Sequence, residues 1–178
     1  MSTYFAAWTC SLGAGALDDY EPAISLATKA CETSPDNDQF LNTLGAVLYR
    51  SGRTVEALQR LADVDRRLGQ STANANSSPA YTWYFLAMAH QKAGDAEQAQ
   101  QYLQKANEDA ERALGDQQNS PPWNRKLTLE LLRKEAEGVL SDAKDAALAP
   151  PEPPQDQKPE TDNSAPNKVP PEQPGTDP

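Results

Sequence analysis

Only one side chain of the 178 residues, His90, has an ordinary pKa near neutrality, so Ser-His or Cys-His chemistry would have to be built around it. It lies in WYFLAMAHQKAG, a helix-like apolar run in which a packing role is the simpler reading. Two carboxylate pairs, Asp18-Asp19 and Glu108-Asp109, have the right atoms for acid and base work. Such pairs divide those roles only where their surroundings separate their pKa values. Asp18-Asp19 reads as part of a turn and Glu108-Asp109 as a wet helix face. Cys10 and Cys31 are the only cysteines, too few for a disulfide framework or a four-thiolate metal site, and they read as small buried thiols on helices. Gly13-Ala14-Gly15 lacks the full spacing and the strand context of a dinucleotide fingerprint. The residues therefore point to a chain with no catalytic site, no cofactor and no metal.

Charge and composition narrow the remaining functions. A formal net charge of -10 argues against nucleic acid, since phosphate binding requires clustered Lys and Arg. Arg125, Lys126, Arg133 and Lys134 do cluster, but Glu130, Glu135 and Glu137 stand among them, as on a solvated helix face. The apolar start MSTYFAAWTCSLGAGAL has no basic residue before it and is interrupted by Gly13 and Gly15, unlike a secretory signal. No stretch approaches the ~20 apolar residues of a membrane span, so a cytoplasmic protein without a membrane partner is expected. Ten of the 15 prolines fall after Leu148, where six acidic and two basic residues accompany only Ala149, Ala165 and Val169 as apolar side chains. Such a segment cannot bury enough surface to offset ordering entropy, so residues 149–178 are expected to form a disordered, acidic, Pro-rich tail.

The elements that position everything else show themselves as a repeat. Leu44, Gly45, Gly52, Ala57, Leu61 and Val64 recur, all at one constant offset, as Leu86, Ala87, Gly94, Ala99, Leu103 and Ala106. A second offset, shorter by eight positions, leads back from the same six to Cys10, Ser11, Asp18, Ala23, Ala27 and Ala30, with Pro35 just before the next unit. The eight extra residues of the longer period fall in GQSTANANSSPA, a polar run suited to a surface loop. Gly inside a helix costs about 1 kcal/mol relative to Ala, so Gly45 reads as volume given up for a close helix crossing. Asp36 with Gln39, and Asp95 with Gln98, have capping-box spacing, and Ser120-Pro121-Pro122 opens a last helix over about 123–146. Trp123, Leu127, Leu131 and Leu140 are its apolar points, with charges between them, as in a polar-backed cap.

LNTLG, SG and AL in one unit, and WYFLA, AG and AQQYL in the next, resemble the tetratricopeptide repeat. The first unit is degenerate, with Cys10-Ser11 for Leu-Gly and Asp18 for the turn glycine. The resemblance implies an all-α solenoid of about three helix hairpins, with units near 4–37, 38–79 and 80–118, and a capping helix within 119–148. More narrowly, AAWTCSLGAGALDD, FLNTLGAVLYRSGR, WYFLAMAHQKAG and PWNRKLTLELLRKEAEGVL are similar to the C-terminal repeat segment of large planctomycete-type bacterial proteins, which often carry a serine/threonine kinase or a WD-repeat module. No kinase Gly-rich loop, catalytic-loop triad or DFG occurs here, so only the interaction segment of that family carries over, as in a split or truncated relative.

In this repeat the first helix of each hairpin forms the concave wall. The pattern places Phe5, Trp8 and Leu12, then Asn42, Ala46 and Tyr49, then Tyr81, Tyr84 and Met88 on it. Aromatic and Met side chains carry interface energy and adapt to partners. The expected function is noncatalytic binding of a protein partner through an apolar or amphipathic peptide segment. The alternatives are a structural or self-associating element whose aromatic wall is covered from within, and a regulatory fragment working with a separately encoded kinase.

Overall fold

A computed structural model describes residues 3–68 and 78–148. The polar loop expected over residues 69–77 and the disordered tail expected over 149–178 lie outside the described residues. Among those described, seven helices follow one another: α1 Thr3–Ser11, α2 Glu21–Thr33, α3 Asp38–Arg50, α4 Thr54–Leu68, α5 Pro79–Lys92, α6 Ala96–Gly115 and α7 Trp123–Leu148. The first six pair as hairpins, α1 with α2, α3 with α4 and α5 with α6, and the first helix of each later hairpin packs on both helices of the one before, α3 on α1 and α2, α5 on α3 and α4. α7 packs on α5 and α6, just as α5 packs on α3 and α4. The chain is thus an all-α, tetratricopeptide-like solenoid closed by a seventh helix.

The repeat columns of the sequence are the packing columns of the fold. Ala23, Ala27 and Ala30 on α2, Ala57, Leu61 and Val64 on α4, and Ala99, Leu103 and Ala106 on α6 are all buried. At the central crossing, Leu61 faces Gly45 of α3. A Cβ built on Gly45 would stand 2.6 Å from Leu61 Cγ and 2.7 Å from Leu61 Cδ2, well inside contact distance, and Leu61 is itself fully buried. The equivalent positions, Ser11 and Ala87, are also fully buried. Between the hairpin helices, Gly52 and Gly94 both adopt φ +84°, a left-handed turn that side chains other than glycine disfavour.

Three helix starts differ from or refine the sequence reading. Asn37, not Asp36, caps α3: its extended backbone lets Oδ1 accept from Gln39 N at 3.0 Å and Phe40 N at 3.4 Å. Asp36 lies one residue too far out and instead meets Arg67 at 3.1 Å. Asp95 does cap α6, accepting from Gln98 N at 3.2 Å. Before α7 it is the Pro122 carbonyl that accepts from Arg125 N at 3.0 Å and Lys126 N at 3.1 Å, which leaves Ser120 two residues outside the cap position. The first hairpin carries the largest departure. α1 has nine residues against 13 in α3, ending at Ser11 before Gly13 and Gly15.

α7 also presents a different face from the one expected. Leu140 is buried, but its companions in the core are Leu129, Leu132 and Ala136. Trp123 is 77% exposed, and Leu127 and Leu131 are exposed too. At about 100° per residue the two sets lie on opposite sides of one helix. The stripe 123, 127, 131 is therefore an outer apolar face rather than the packing face, and the cap is not uniformly polar behind.

Polar ties join the hairpins where apolar columns do not. Asp65 on α4 accepts from Trp83 Nε1 of α5 at 2.6 Å, and from Lys105 Nζ at 2.8 Å and Tyr102 Oη at 3.2 Å, both on α6. Partial burial of the carboxylate pushes its pKa up, yet the hydrogen bonds from Lys105 and Trp83 and the Lys105 charge outweigh this, and the net shift is downward. His90 stacks on Tyr102 with ring centroids 5.4 Å apart and holds Nδ1 3.5 Å from Asp95 Oδ2, a packing and turn-supporting position.

Two outcomes follow. Gly45→Ala, although it raises helix propensity, should lower stability by roughly 1–3 kcal/mol through overpacking against Leu61; a urea melt with an unchanged or raised midpoint would mean that the α3–α4 crossing relaxes freely. Because the folded pKa of Asp65 lies below its unfolded value, its contribution is present above the unfolded pKa and is lost as pH falls through the folded one. Urea midpoints recorded from about pH 6 downward through the aspartate range near 4 should therefore fall more steeply for the wild-type chain than for Asp65→Asn, and parallel curves would remove Asp65 from the acid limb.

Candidate functional site

The inner row of helices, α1, α3 and α5, ends in a cleft that the start of α7 closes from the far side. α1 contributes Tyr4, Phe5 and Trp8; α3 contributes Gln39, Asn42 and Thr43; α5 contributes Tyr81. Across from them stand Pro122, Asn124, Arg125 and Thr128. The cavity measures about 180 Å³, below the roughly 300–1,000 Å³ usual for small-molecule and cofactor sites. No acidic residue lines it, and Arg125 is its one charged side chain.

The aromatic residues form a connected set. Tyr4 stacks on Phe5 at 4.3 Å and tilts against Phe40 at 4.7 Å, while Trp8 lies 5.5 Å from Tyr81 and 6.3 Å from Phe85, ring centre to ring centre. Phe5 remains 52% exposed, the most open ring of the group. The polar groups here are already engaged with one another. Asn42 is buried and accepts from Thr82 Oγ1 at 2.9 Å, tying α3 to α5. Tyr81 Oη donates to the Arg125 carbonyl at 3.4 Å, and burial pushes its pKa up to about 12. The cleft thus brings together a phenol held protonated, an amide committed to a neighbouring helix and the exposed ring of Phe5.

The nine positions expected on the concave wall divide into two groups. Phe5, Trp8, Asn42 and Tyr81 meet at the cleft. Leu12 is half-buried and Ala46 buried, both away from the cleft lining. Tyr49, Tyr84 and Met88 are buried and offer no open surface. Tyr49 sits edge-on to Phe85 at 5.9 Å. Tyr84 turns toward α6, where Oη donates to Asn107 Oδ1 at 2.9 Å, and Asn107 Nδ2 in turn reaches Glu137 of α7 at 3.3 Å. Burial raises the Tyr84 pKa to about 12. The physical reason is α7, which lies along α5 and takes up the wall that an uncapped solenoid would leave open. Tyr4, Asn124 and Arg125 at the cleft were not legible as site residues, because the return of α7 over the inner face has no local signature.

Arg50, the last residue of α3, holds this arrangement together. Its side chain is 3% exposed. Nε donates to the Ser11 carbonyl at the end of α1 at 2.7 Å, Nη2 donates to Glu135 Oε2 of α7 at 2.6 Å, and Nη1 pairs with Glu135 Oε1. The guanidinium carbon also lies 5.4 Å from the Phe85 ring centre and 5.5 Å from that of Tyr49. The basic and acidic residues of α7 are accordingly not all a solvated face. Glu135 is paired inward, and Arg133 bridges to Glu111 of α6 at 3.2 Å while holding Glu137 of its own helix at 2.9 Å.

Residues 80–108 match the tetratricopeptide repeat. The span runs from the first turn of α5 into the middle of α6, and takes in Leu86, Ala87, Gly94, Ala99 and Leu103. Comparison with the curated proteins and with the solved structures gives no match. Tetratricopeptide repeats stack into solenoids whose concave faces serve protein–protein interaction, and the fold of the whole described chain follows that plan. Among the described residues no helix is long and apolar enough to cross a membrane.

Removing Glu135 by Glu135→Ala should destabilise the chain by about 3 kcal/mol or more, since it leaves the buried Arg50 charge without its carboxylate. Arg50→Met together with Glu135→Leu should recover much of that loss, and a double variant no better than Glu135→Ala in urea melts would show that the pair is not the source.

Proposed function

We propose that this chain is a noncatalytic protein-interaction module that takes an apolar or amphipathic peptide segment in the cleft between α1, α3, α5 and the start of α7. The observation that carries the reading is the cleft itself: Phe5, Trp8 and Tyr81 converge on a small cavity without acidic lining, and Arg125 stands at its edge. Rigid aromatic rings give large contact area at low entropic cost and dominate interface energies. Asn42 and Tyr81 spend their hydrogen bonds on the scaffold, so selectivity would come from shape and apolar contact more than from polar readout.

A second reading is supported by one further observation, the exposed stripe Trp123, Leu127 and Leu131 on the outer side of α7. Such a face fits self-association. Leu127→Glu should then lower a concentration-dependent mass in light scattering and leave cleft binding intact.

The cleft reading is tested by selecting a displayed random-peptide library on the full chain and measuring enriched peptides by fluorescence anisotropy. Phe5→Ala and Trp8→Ala should each weaken binding tenfold or more with unchanged circular dichroism, while Val55→Ala, exposed on α4 away from the cleft, should not. Enriched peptides indifferent to both cleft substitutions would sink the assignment.

A further inference from the structure

We propose that the cleft is occupied by the chain's own second proline cluster, Pro170, Pro171 and Pro174, folded back from the end of α7. The inference rests on the reading of the cleft as a peptide site and names its resident ligand.

Recognition chemistry comes first. Proline-rich segments with P-x-x-P spacing dock in aromatic-lined grooves because their extended form is already populated and loses little entropy. The segment after Leu148 contains that spacing in two places, Pro150–Pro154 and Pro171–Pro174. Tyr4, Phe5, Trp8 and Tyr81 supply an aromatic lining. Charge agrees: residues 149–178 carry six acidic and two basic side chains, and the cleft lining holds Arg125 and no carboxylate.

Reach then selects between the two clusters. α7 is one continuous helix from Trp123 to Leu148, with Thr128 at the cleft and Leu148 at the far end. At about 1.5 Å per residue, Thr128 and Leu148 stand about 30 Å apart. Pro154 lies six residues beyond Leu148, and at no more than about 3.6 Å per residue it comes only ~22 Å back. Pro170 lies more than three times as far along the chain from Leu148. Even in the shorter polyproline rise of about 3.1 Å it spans about 68 Å. The first cluster falls short and the second arrives with slack. An external peptide must then displace the tail, so its apparent affinity for the full chain is lowered by the fraction of clefts already filled.

The test uses the full chain and its three indole N–H groups, which report on three places. Trp8 lines the cleft, Trp123 stands on the outer side of α7, and Trp83 is bonded to Asp65 as an internal control. In heteronuclear spectra, Pro170→Ala/Pro171→Ala/Pro174→Ala should shift the Trp8 indole resonance and leave Trp83 in place, and Pro151→Ala/Pro153→Ala/Pro154→Ala should shift neither. The first variant should also bind a library-selected peptide several-fold more tightly than the unaltered chain. A still Trp8, equal shifts in both variants, or movement of Trp123 without Trp8 each overturns the inference, the last by placing the segment on the outer face of α7. If Trp8 is still while selected peptides bind in a Trp8-dependent way, the tail inference falls alone; if no peptide is selected either, the cleft reading falls with it.

Discussion

A cation buried at the end of α3 constrains most of what this solenoid does. Arg50 is almost wholly out of water, and its donors are met by the last turn of α1 and by Glu135 in the middle of α7. Desolvating such a pair costs several kcal/mol, which the pair's own attraction only partly offsets. Its value is therefore better sought in specificity than in net stability. Apolar columns alone would let α7 slide or rotate along α5, because leucines accept many registers. A bidentate guanidinium–carboxylate pair accepts very few. By joining α1, α3 and α7 near the rings of Tyr49 and Phe85, Arg50 fixes where the middle of α7 lies against the inner helices.

The parts of this fold that were legible in the sequence are those in which size alone carries the information. Gly45, Ala57 and Leu61, with their counterparts Ala87, Ala99 and Leu103, are recognisable because close crossings tolerate few volumes, and the buried columns fall on them. The turn glycines at 52 and 94 are legible for a similar reason, since a φ of +84° excludes most alternatives. α7 was located within a residue or two, but its inward face was not. It carries two apolar stripes, and the choice between Leu129, Leu132, Ala136 and Trp123, Leu127, Leu131 depends on what α5 and α6 present. Arg50 was invisible for a related reason. A basic residue at a helix end next to Ser-Gly looks like ordinary C-terminal dipole compensation, and only the tertiary structure brings Ser11 and Glu135 to it.

The same physics explains why only part of the aromatic wall became a cleft. Tyr84 and Met88 sit where α5 is covered, so their volume went into the core, and the Tyr84 hydroxyl found Asn107 as the partner that burial demands. Phe5 and Trp8 lie on α1, whereas α7 packs on α5 and α6. The nine residues of α1 end at Ser11, and Gly13 and Gly15 follow where α3 and α5 continue for another turn. Both rings precede that missing turn, and their place on the first helix sets them at the rim of the inner face.

α7 consequently does two jobs that pull against each other. As a cap it must bury Leu129, Leu132, Ala136 and Leu140 to finish the core, which favours the closest approach to α5 and α6. As the far wall of the cleft it must leave room beside Trp8 and Tyr81, which favours standing off. The resolution lies in where the ties fall along the helix. Glu135 and Glu137 anchor its middle, through Arg50 and through Asn107, and at the cleft end Tyr81 Oη of α5 donates to the Arg125 carbonyl at 3.4 Å. Pro121 and Pro122 add no N–H donors there, and the helix starts on the Pro122 carbonyl, which accepts from Arg125 N and Lys126 N. Anchored at its centre, α7 completes the core with Leu132 and Ala136 while its first turns form the far wall of the cleft beside Trp8 and Tyr81.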